Sequence, residues 1–269
     1  TDPLAQLAVV FASLTHDAGH EGIPNTILMK EQPDLAEKYG GKSVAERKSI
    51  DLAWDVLQEP GFRNLRECMF ENSCDEVRFR QLIVNLLIAT DIADRERMQK
   101  EKHRWERAFS GARTWEEEWR RRSEVALTTL DVSLKATVVL EQIMLASDVA
   151  HTMQHWLTFV KWNERLYKEL WTAHVAGRND QDPTANWYQG QVGFFDHYII
   201  PLARKLNACG VFGNAGEEYL AYALSNRQEW TEKGREITER FERTIRNAQI
   251  LDKEPQYWET ADGNGEQGK

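Results

Sequence analysis

The chain has 269 residues, 41% of them hydrophobic, and a formal net charge of −9. That length suits one large domain or two small ones, and the acidic balance excludes a general nucleic-acid surface, because binding a phosphate backbone needs a basic face. Cys68, Cys74 and Cys209 stand in no CxxC spacing, so neither a disulfide framework nor a zinc ribbon is expected, and a reducing, cytoplasmic compartment fits.

Helical periodicity runs through almost the whole sequence. Leu4, Leu7, Ala8, Phe11 and Leu14 recur at three- and four-residue steps and lead into His16. The run HDAGHEGIPN follows, from His16 to Asn25. Imidazole beside carboxylate (His16, Asp17) at the end of an apolar helix reads as a pair of metal ligands, because an unpaired charge there is costly. If the helix continued, His20 would share a face with His16. Gly19 and Gly22 let the backbone turn closely around a site, and Pro24 ends regular helix. Mixed nitrogen and oxygen donors suit zinc or a similar transition metal, with room for a second, harder ion on carboxylate and water oxygens.

Ser43 and Glu46 form an S-x-x-E capping box ahead of the Ile50, Ala53, Trp54 and Leu57 stripe. Capping alone explains Glu46; a place beside metal-bound water is the alternative. Phe79, Leu82, Ile83 and Leu86 mark the next helix, which ends at Asp91. Residues 94–124 are dense in Arg, Lys and Glu, with Trp105, Phe109, Trp115 and Trp119 interspersed. They are expected to form a solvated helical excursion whose aromatics dock on the body, with a partner surface as the alternative.

Leu140, Ile143 and Met144 lie on one side of a fourth helix, and Asp148 ends it. An Asp at a helix C-terminus opposes the macrodipole, so a cation or a basic partner should compensate it. Asp148 is therefore the first distant ligand candidate and Asp91 the second. His151 and His155 are spaced i, i+4; one is expected to line a pocket and the other to be solvated. Trp156, Phe159, Val160 and Tyr167 carry the pattern on.

Gln191 and Phe194 project from one helical face. The amide can offer a donor and an acceptor to a purine edge, and the ring can stack on a base; an ordinary amphipathic helix explains the pair equally well. Phe195, Ile199, Leu202 and Leu206 follow as a core stripe. Period-two alternation is absent and no apolar run reaches the length of a membrane span. The expectation is an all-α domain over 1–251 and a disordered polar tail over 252–269.

HDAGHEGIPN, preceded by TDPLAQLAVVFASLT, resembles the catalytic domain of the class I 3',5'-cyclic nucleotide phosphodiesterases. SVAERKSIDLAWDVL, FRQLIVNLLIATD, ASDVAH and QVGFFDHYIIPLA are similar to further segments of that family, in the family's order. The resemblance implies a compact multi-helix bundle and opening of cAMP or cGMP, or both, to the 5'-monophosphate by a hydroxide held between two divalent metals, zinc plus magnesium or manganese. It makes His16, Asp17 and Asp148 metal ligands, Asp17 bridging both ions. His20 would orient the hydroxide, Glu46 and Asp91 would accept from metal-bound water, and Gln191 with Phe194 would clamp the base. His151 stands where many members have Asn and would line the pocket. Arg47-Lys48-Ser49 replaces the family's usual His-containing continuation.

The family takes one more metal-binding His, and the His that protonates the leaving ribose oxygen, from a helix upstream of TDPLAQL. None of the seven histidines stands there, so the start at Thr1 is expected to be a cut through a domain, of a microbial or algal parent with a regulatory part or membrane anchor outside it. The resemblance admits a homodimer. A nucleotide-binding module without turnover, or another His-Asp metal phosphohydrolase, are the alternative functions.

Overall fold

The structure, a computed structural model, describes residues 2–109 and 129–253. Twelve helices are described: α1 (Pro3–Thr15), α2 (Asn25–Glu31), α3 (Pro33–Tyr39), α4 (Val44–Gln58), α5 (Arg63–Met69), α6 (Ser73–Ala89), α7 (Arg95–Phe109), α8 (Thr129–Asp148), α9 (Trp156–Val175), α10 (Trp187–Phe194), α11 (Ile200–Ala208) and α12 (Asn214–Lys253). No strand occurs among the described residues, as the periodicity predicts. None of these helices is long and apolar enough to cross a membrane.

Two hydrophobic cores are strung on α8. The first lies between α1, α4 and α6, where Ala8, Ala12, Ile50, Leu57, Phe79 and Ile83 are buried together with Met144 of α8. Phe79 is its centre, meeting Phe11 and Phe70 edge-on with ring centroids 5.7 and 5.3 Å away. The second takes Leu145 and Val149 from the end of α8 and packs them with α9 to α12. It is an aromatic lattice: the fully buried Phe159 meets Phe195 at 5.2 Å and Trp230 at 5.6 Å, both edge-on. Edge-to-face geometry sets the positive ring edge against the negative face and holds each ring in place. Asp148 ends α8 where the two cores meet.

Several local expectations are revised. Leu7 and Leu14 face outward, 38% and 81% exposed, and the inward face of α1 runs through Ala8 and Ala12. Small side chains there let α1 lie close against α6. The helix stops at Thr15, and Gly19 takes φ 70°, so His16 and His20 do not share a helical face.

The capping box at Ser43 and Glu46 does not form. Ser43 adopts left-handed φ 47°, ψ 50° and its side chain does not cap α4. Asn25 caps it from a distance, its Oδ1 accepting from the Ala45 N–H at 2.8 Å. A left-handed backbone costs a side-chain-bearing residue about 1–2 kcal/mol.

The charged excursion is only partly solvated. Glu101 on α7 is buried and accepts from Gln142 Nε2 at 2.6 Å and from Lys205 Nζ at 2.9 Å. Arg104 donates to both oxygens of the buried Glu141, at 2.7 and 2.8 Å. Trp105 and Phe109 stack on each other at 4.3 Å, with the Lys205 ammonium over Trp105; Trp115 and Trp119 lie outside the described residues. At the other end, α12 runs to Lys253, so helix covers the first two residues of the expected tail, and 254–269 lie outside the description.

Between α10 and α11 the helix widens into a π turn over Phe195–Ile199. Pro201 has no N–H for the carbonyl of His197, so the regular ladder cannot continue through it. Ile200 instead donates to Phe195 O, and Phe195, Ile199, Leu202 and Leu206 all stay buried.

Candidate active site

His16 leaves the end of α1 with its Nδ1 3.0 Å from Ser13 O. A carbonyl accepts, so Nδ1 carries the proton and Nε2 is left as the free ligand nitrogen. Nε2 lies 3.4 Å from Asp17 Oδ2 and 3.4 Å from Asp148 Oδ1. One ligand atom from each of the three residues falls within 4.8 Å of the others, and theirs is the one such acidic or His/Cys group among the described residues. Asp148 is thus brought from the end of α8 to His16 at the end of α1, across 132 positions of sequence.

Two carboxylates face one imidazole in this cluster. The Asp148 carboxylate first, then Asp17 and Ser13, raise His16 to about 9 against the opposing effect of burial. In the metal-free protein the imidazole therefore holds a proton between two carboxylates. Asp17 is the most open of the three, its side chain 65% exposed against 31% for Asp148 and 18% for His16. An imidazole nitrogen and two carboxylate oxygens at this spacing fit a divalent metal ion.

The motif's return path is fixed by its glycines and charges. Gly22 has φ 69°, and a Cβ there would meet Glu169 Oε1 at 2.7 Å. Its N–H donates to His20 Nδ1 at 3.1 Å, which sets the direction of that ring. Lys48 first, then Arg178 and Gln32, hold Glu21 down at about 2, pinning the loop to α4 and to the end of α9.

Glu46 and Asp91 stand together behind His20 rather than among the three donors. Asn25 Nδ2 donates to Glu46 Oε2 at 3.1 Å. Burial pushes the Glu46 carboxyl up, with Asn25 opposing, Asp91 adding to the rise and His20 reducing it. Asp91 is buried and takes two hydrogen bonds, from Ser43 Oγ at 2.7 Å and from the Ala93 N–H at 3.1 Å. Arg97 Nε also donates to Asp91 O, at 3.1 Å.

Gln191 and Phe194 line a cavity of about 480 Å³, within the range of small-molecule sites. Its walls come from α10, from Leu166 and Leu170 of α9, from the Asn179–Pro183 loop, and from Ile92, the neighbour of Asp91. Gln191 is buried and its amide makes no side-chain hydrogen bond among the described residues, which leaves it available to a ligand. Phe194 stacks on Tyr198 at 5.3 Å, so one face of its ring has a fixed backing.

His151 lies apart from the lining of this cavity. Its ring is parallel to Phe159 at 6.5 Å and tilted against Trp162 at 6.3 Å, and burial pulls its pKa down while Asp148 opposes. His155 caps α9, its Nδ1 accepting from the Leu157 N–H at 3.3 Å. Neither offers a fourth atom to the metal cluster.

Sequence reasoning missed the use of Asn25, Ser43, Arg97, Leu166 and Leu170. Asn25 gave no local sign of this use, since it heads α2 and only the fold shows that its side chain caps α4.

Residues 1–210 match the family model described as 3'5'-cyclic nucleotide phosphodiesterase. The 3',5'-cyclic-AMP phosphodiesterase 4C of Mus musculus is 25% identical over 210 residues, which is 74% of this chain and 28% of that protein. A probable 3',5'-cyclic-AMP phosphodiesterase of Caenorhabditis elegans is 24% identical over 74% of this chain and 29% of its own length. The chain thus spans less than a third of these relatives. The phosphodiesterase domain of Salpingoeca rosetta rhodopsin phosphodiesterase has a similar fold, with TM-score 0.66 at 20% identity over 91% of this chain and 70% of that one. With the family model covering the whole stretch from the metal motif to the end of α11, the chain belongs to the 3',5'-cyclic nucleotide phosphodiesterases.

Proposed function

We propose that this chain carries the hydrolytic site of a metal-dependent 3',5'-cyclic nucleotide phosphodiesterase that opens cAMP or cGMP to the 5'-monophosphate. The observation that supports it most is the convergence of His16, Asp17 and Asp148 within 4.8 Å. A cavity of nucleotide size lies beside Asp91, through Ile92.

The residues divide the work by position. His16, Asp17 and Asp148 would hold a zinc ion, and Asp17, the most exposed of the three, would also serve a second ion, magnesium or manganese. When bound, the two cations supply Lewis acidity to the phosphoryl oxygens and lower the pKa of water. Gln191 hydrogen-bonds the purine edge while Phe194, backed by Tyr198, stacks on the base. The cyclic phosphate is thereby held toward the Asp91 end of the cavity. His20 would orient the attacking water, and Glu46 and Asp91 would accept from other metal-bound water. The water oxygen would bond to phosphorus as the bond from phosphorus to O3' breaks, the water giving up a proton to solvent and O3' taking one up. The reading assigns that proton, and one further metal ligand, to histidines preceding TDPLAQL, as the resemblance implies.

Asp148→Asn tests the proposal in an intact parent that includes that upstream sequence. Turnover of both cyclic nucleotides is expected to fall by more than roughly 100-fold, with unchanged circular dichroism. Normal turnover in that variant would refute the metal assignment. Tight nucleotide binding by the unsubstituted parent with no 5'-monophosphate formed would replace the enzyme by a binding module.

A further inference from the structure

Ser43 is the one residue other than glycine with positive φ among the described residues. It stands in the turn between α3 and α4, after Gly40 and Gly41 at φ 63° and 66°. Glycine is the residue this backbone favours at position 43 as well. A serine at the head of a helix ordinarily earns its place by capping, with an extended backbone. Here the backbone is left-handed, and Asn25 has taken over the capping. What the side chain does instead is donate Oγ–H to Asp91 Oδ2 at 2.7 Å, in a buried setting.

We propose that Ser43 is a positioning residue for Asp91, kept in an unfavourable backbone conformation because its hydroxyl fixes the carboxylate that accepts from metal-bound water. The proposal rests on the reading of Asp91 given under Proposed function. The geometry around the pair supports it. Asp91 follows α6 in the turn Thr90–Asp94, with no helix of its own to orient it. Its Oδ1 accepts the Ala93 N–H, a bond within the turn that moves with the turn. Ser43 is the partner that ties its Oδ2 to a different element, the start of α4. Asn25 secures that same start by bonding both Ala45 N–H and Glu46 Oε2. One knot of side chains therefore sets Glu46 and Asp91 relative to each other. Second-sphere partners of this kind commonly alter metal affinity by roughly 10–100-fold.

The test separates strain from positioning. Ser43→Gly relieves the backbone and removes the hydroxyl; Ser43→Thr keeps the hydroxyl and worsens the backbone with a β-branched side chain. Each full-length variant is titrated with Mn2+, followed by loss of the free-ion paramagnetic resonance signal, and its melting is measured in chelator. Ser43→Gly is expected to melt close to the temperature of the unsubstituted chain, the relieved backbone offsetting the lost hydrogen bond, yet to bind Mn2+ about 10-fold more weakly. Ser43→Thr is expected to melt lower while keeping Mn2+ affinity within about 3-fold, a difference too small for a lost second-sphere partner. Should Ser43→Thr not fold, Ser43→Gly alone decides. Unchanged Mn2+ affinity in Ser43→Gly overturns the positioning role and leaves the metal cluster standing. Failure of the unsubstituted chain to bind Mn2+ overturns the metal reading and this proposal together.

Discussion

The two cores that meet at α8 are built from different materials. Around α9 to α12, Phe159, Tyr167, Phe195, Trp230 and Phe241 are all essentially fully buried, and rings touch rings. Around α1, α4 and α6 the interior is mainly aliphatic and alanine, with Phe79 as its one fully buried ring, and α1 leaves Val10 57% and Leu14 81% exposed. Both halves carry buried polar contacts, and in the second Trp187 Nε1 donates to Asn163 Oδ1 at 3.0 Å and Asn226 Nδ2 donates to the carbonyls of Thr152 and Gln154. The knot of Asn25, Ser43, Glu46 and Asp91 belongs to the first half, whereas the second presents Gln191 and Phe194 on a hydrophobic platform. The division is therefore one of emphasis: ring packing dominates around the cavity at Gln191, and a knot of side-chain hydrogen bonds sets Glu46 and Asp91.

The largest expected effect on stability lies in the aromatic half. Trp230 is fully buried, meets Phe159 edge-on, and donates from Nε1 to Tyr188 O at 3.1 Å. Trp230→Ala leaves a cavity no neighbour fills, at a cost of about 3–5 kcal/mol, read as a shift of the urea midpoint. A change below about 1 kcal/mol would show that this lattice is not the rigid member of the pair.

Asn25→Ala is the matching change in the other half. It removes the acceptor for the Ala45 N–H and the donor to Glu46. Loss of a helix cap costs about 1–2 kcal/mol, less than Trp230→Ala, so denaturant unfolding should rank the two in that order. The sharper contrast is in function. Asn25→Ala should weaken Mn2+ binding, while a Trp230 variant still folded in mild conditions should bind it normally. Equal loss in both would dissolve the distinction between packing and directed bonds.

The same division governs what could be read from the sequence. Spacing alone reveals the helices of the second core, because Phe195, Ile199, Leu202 and Leu206 are buried for the reason the pattern suggests. On α1 it holds in part: Leu4, Ala8 and Phe11 pack inward as the spacing suggests, while Leu7 and Leu14 face outward. His16, Asp17 and Asp148 are legible as types of ligand at helix ends, and the fold brings them together. Ser43 and Glu46 illustrate the limit. Their spacing is a capping box in every local respect, but an Asn 20 positions away takes the cap and frees Ser43 for Asp91. Local pattern cannot foresee a distant competitor for the same backbone N–H. Nor does it show that Glu101 and Glu141, in charge-rich helical sequence or beside apolar residues, are buried against Lys205 and Arg104.

His151 sits on the boundary between the halves, and acid should reveal which one claims it. Its ring packs on the aromatic core, and burial lowers its pKa from the ordinary 6.5, with the Asp148 carboxylate opposing. The unfolded chain then binds more protons than the native one between the lowered value and 6.5. Stability therefore rises with pH across that window. It is complete above the unfolded value and declines as the pH falls toward the native one. His16 works in the opposite direction and in a different window, since its raised pKa makes its contribution complete below 6.5 and lost toward about 9. Comparison of the unsubstituted chain with His151→Gln, in chelator, isolates the first effect. Unfolding free energy is expected to fall less steeply from pH 7 to pH 5 in the variant, even though losing the ring contact lowers stability at both. Parallel slopes would place His151 under the control of Asp148 rather than of the aromatic core, and would move the boundary between the two halves to the far side of that ring.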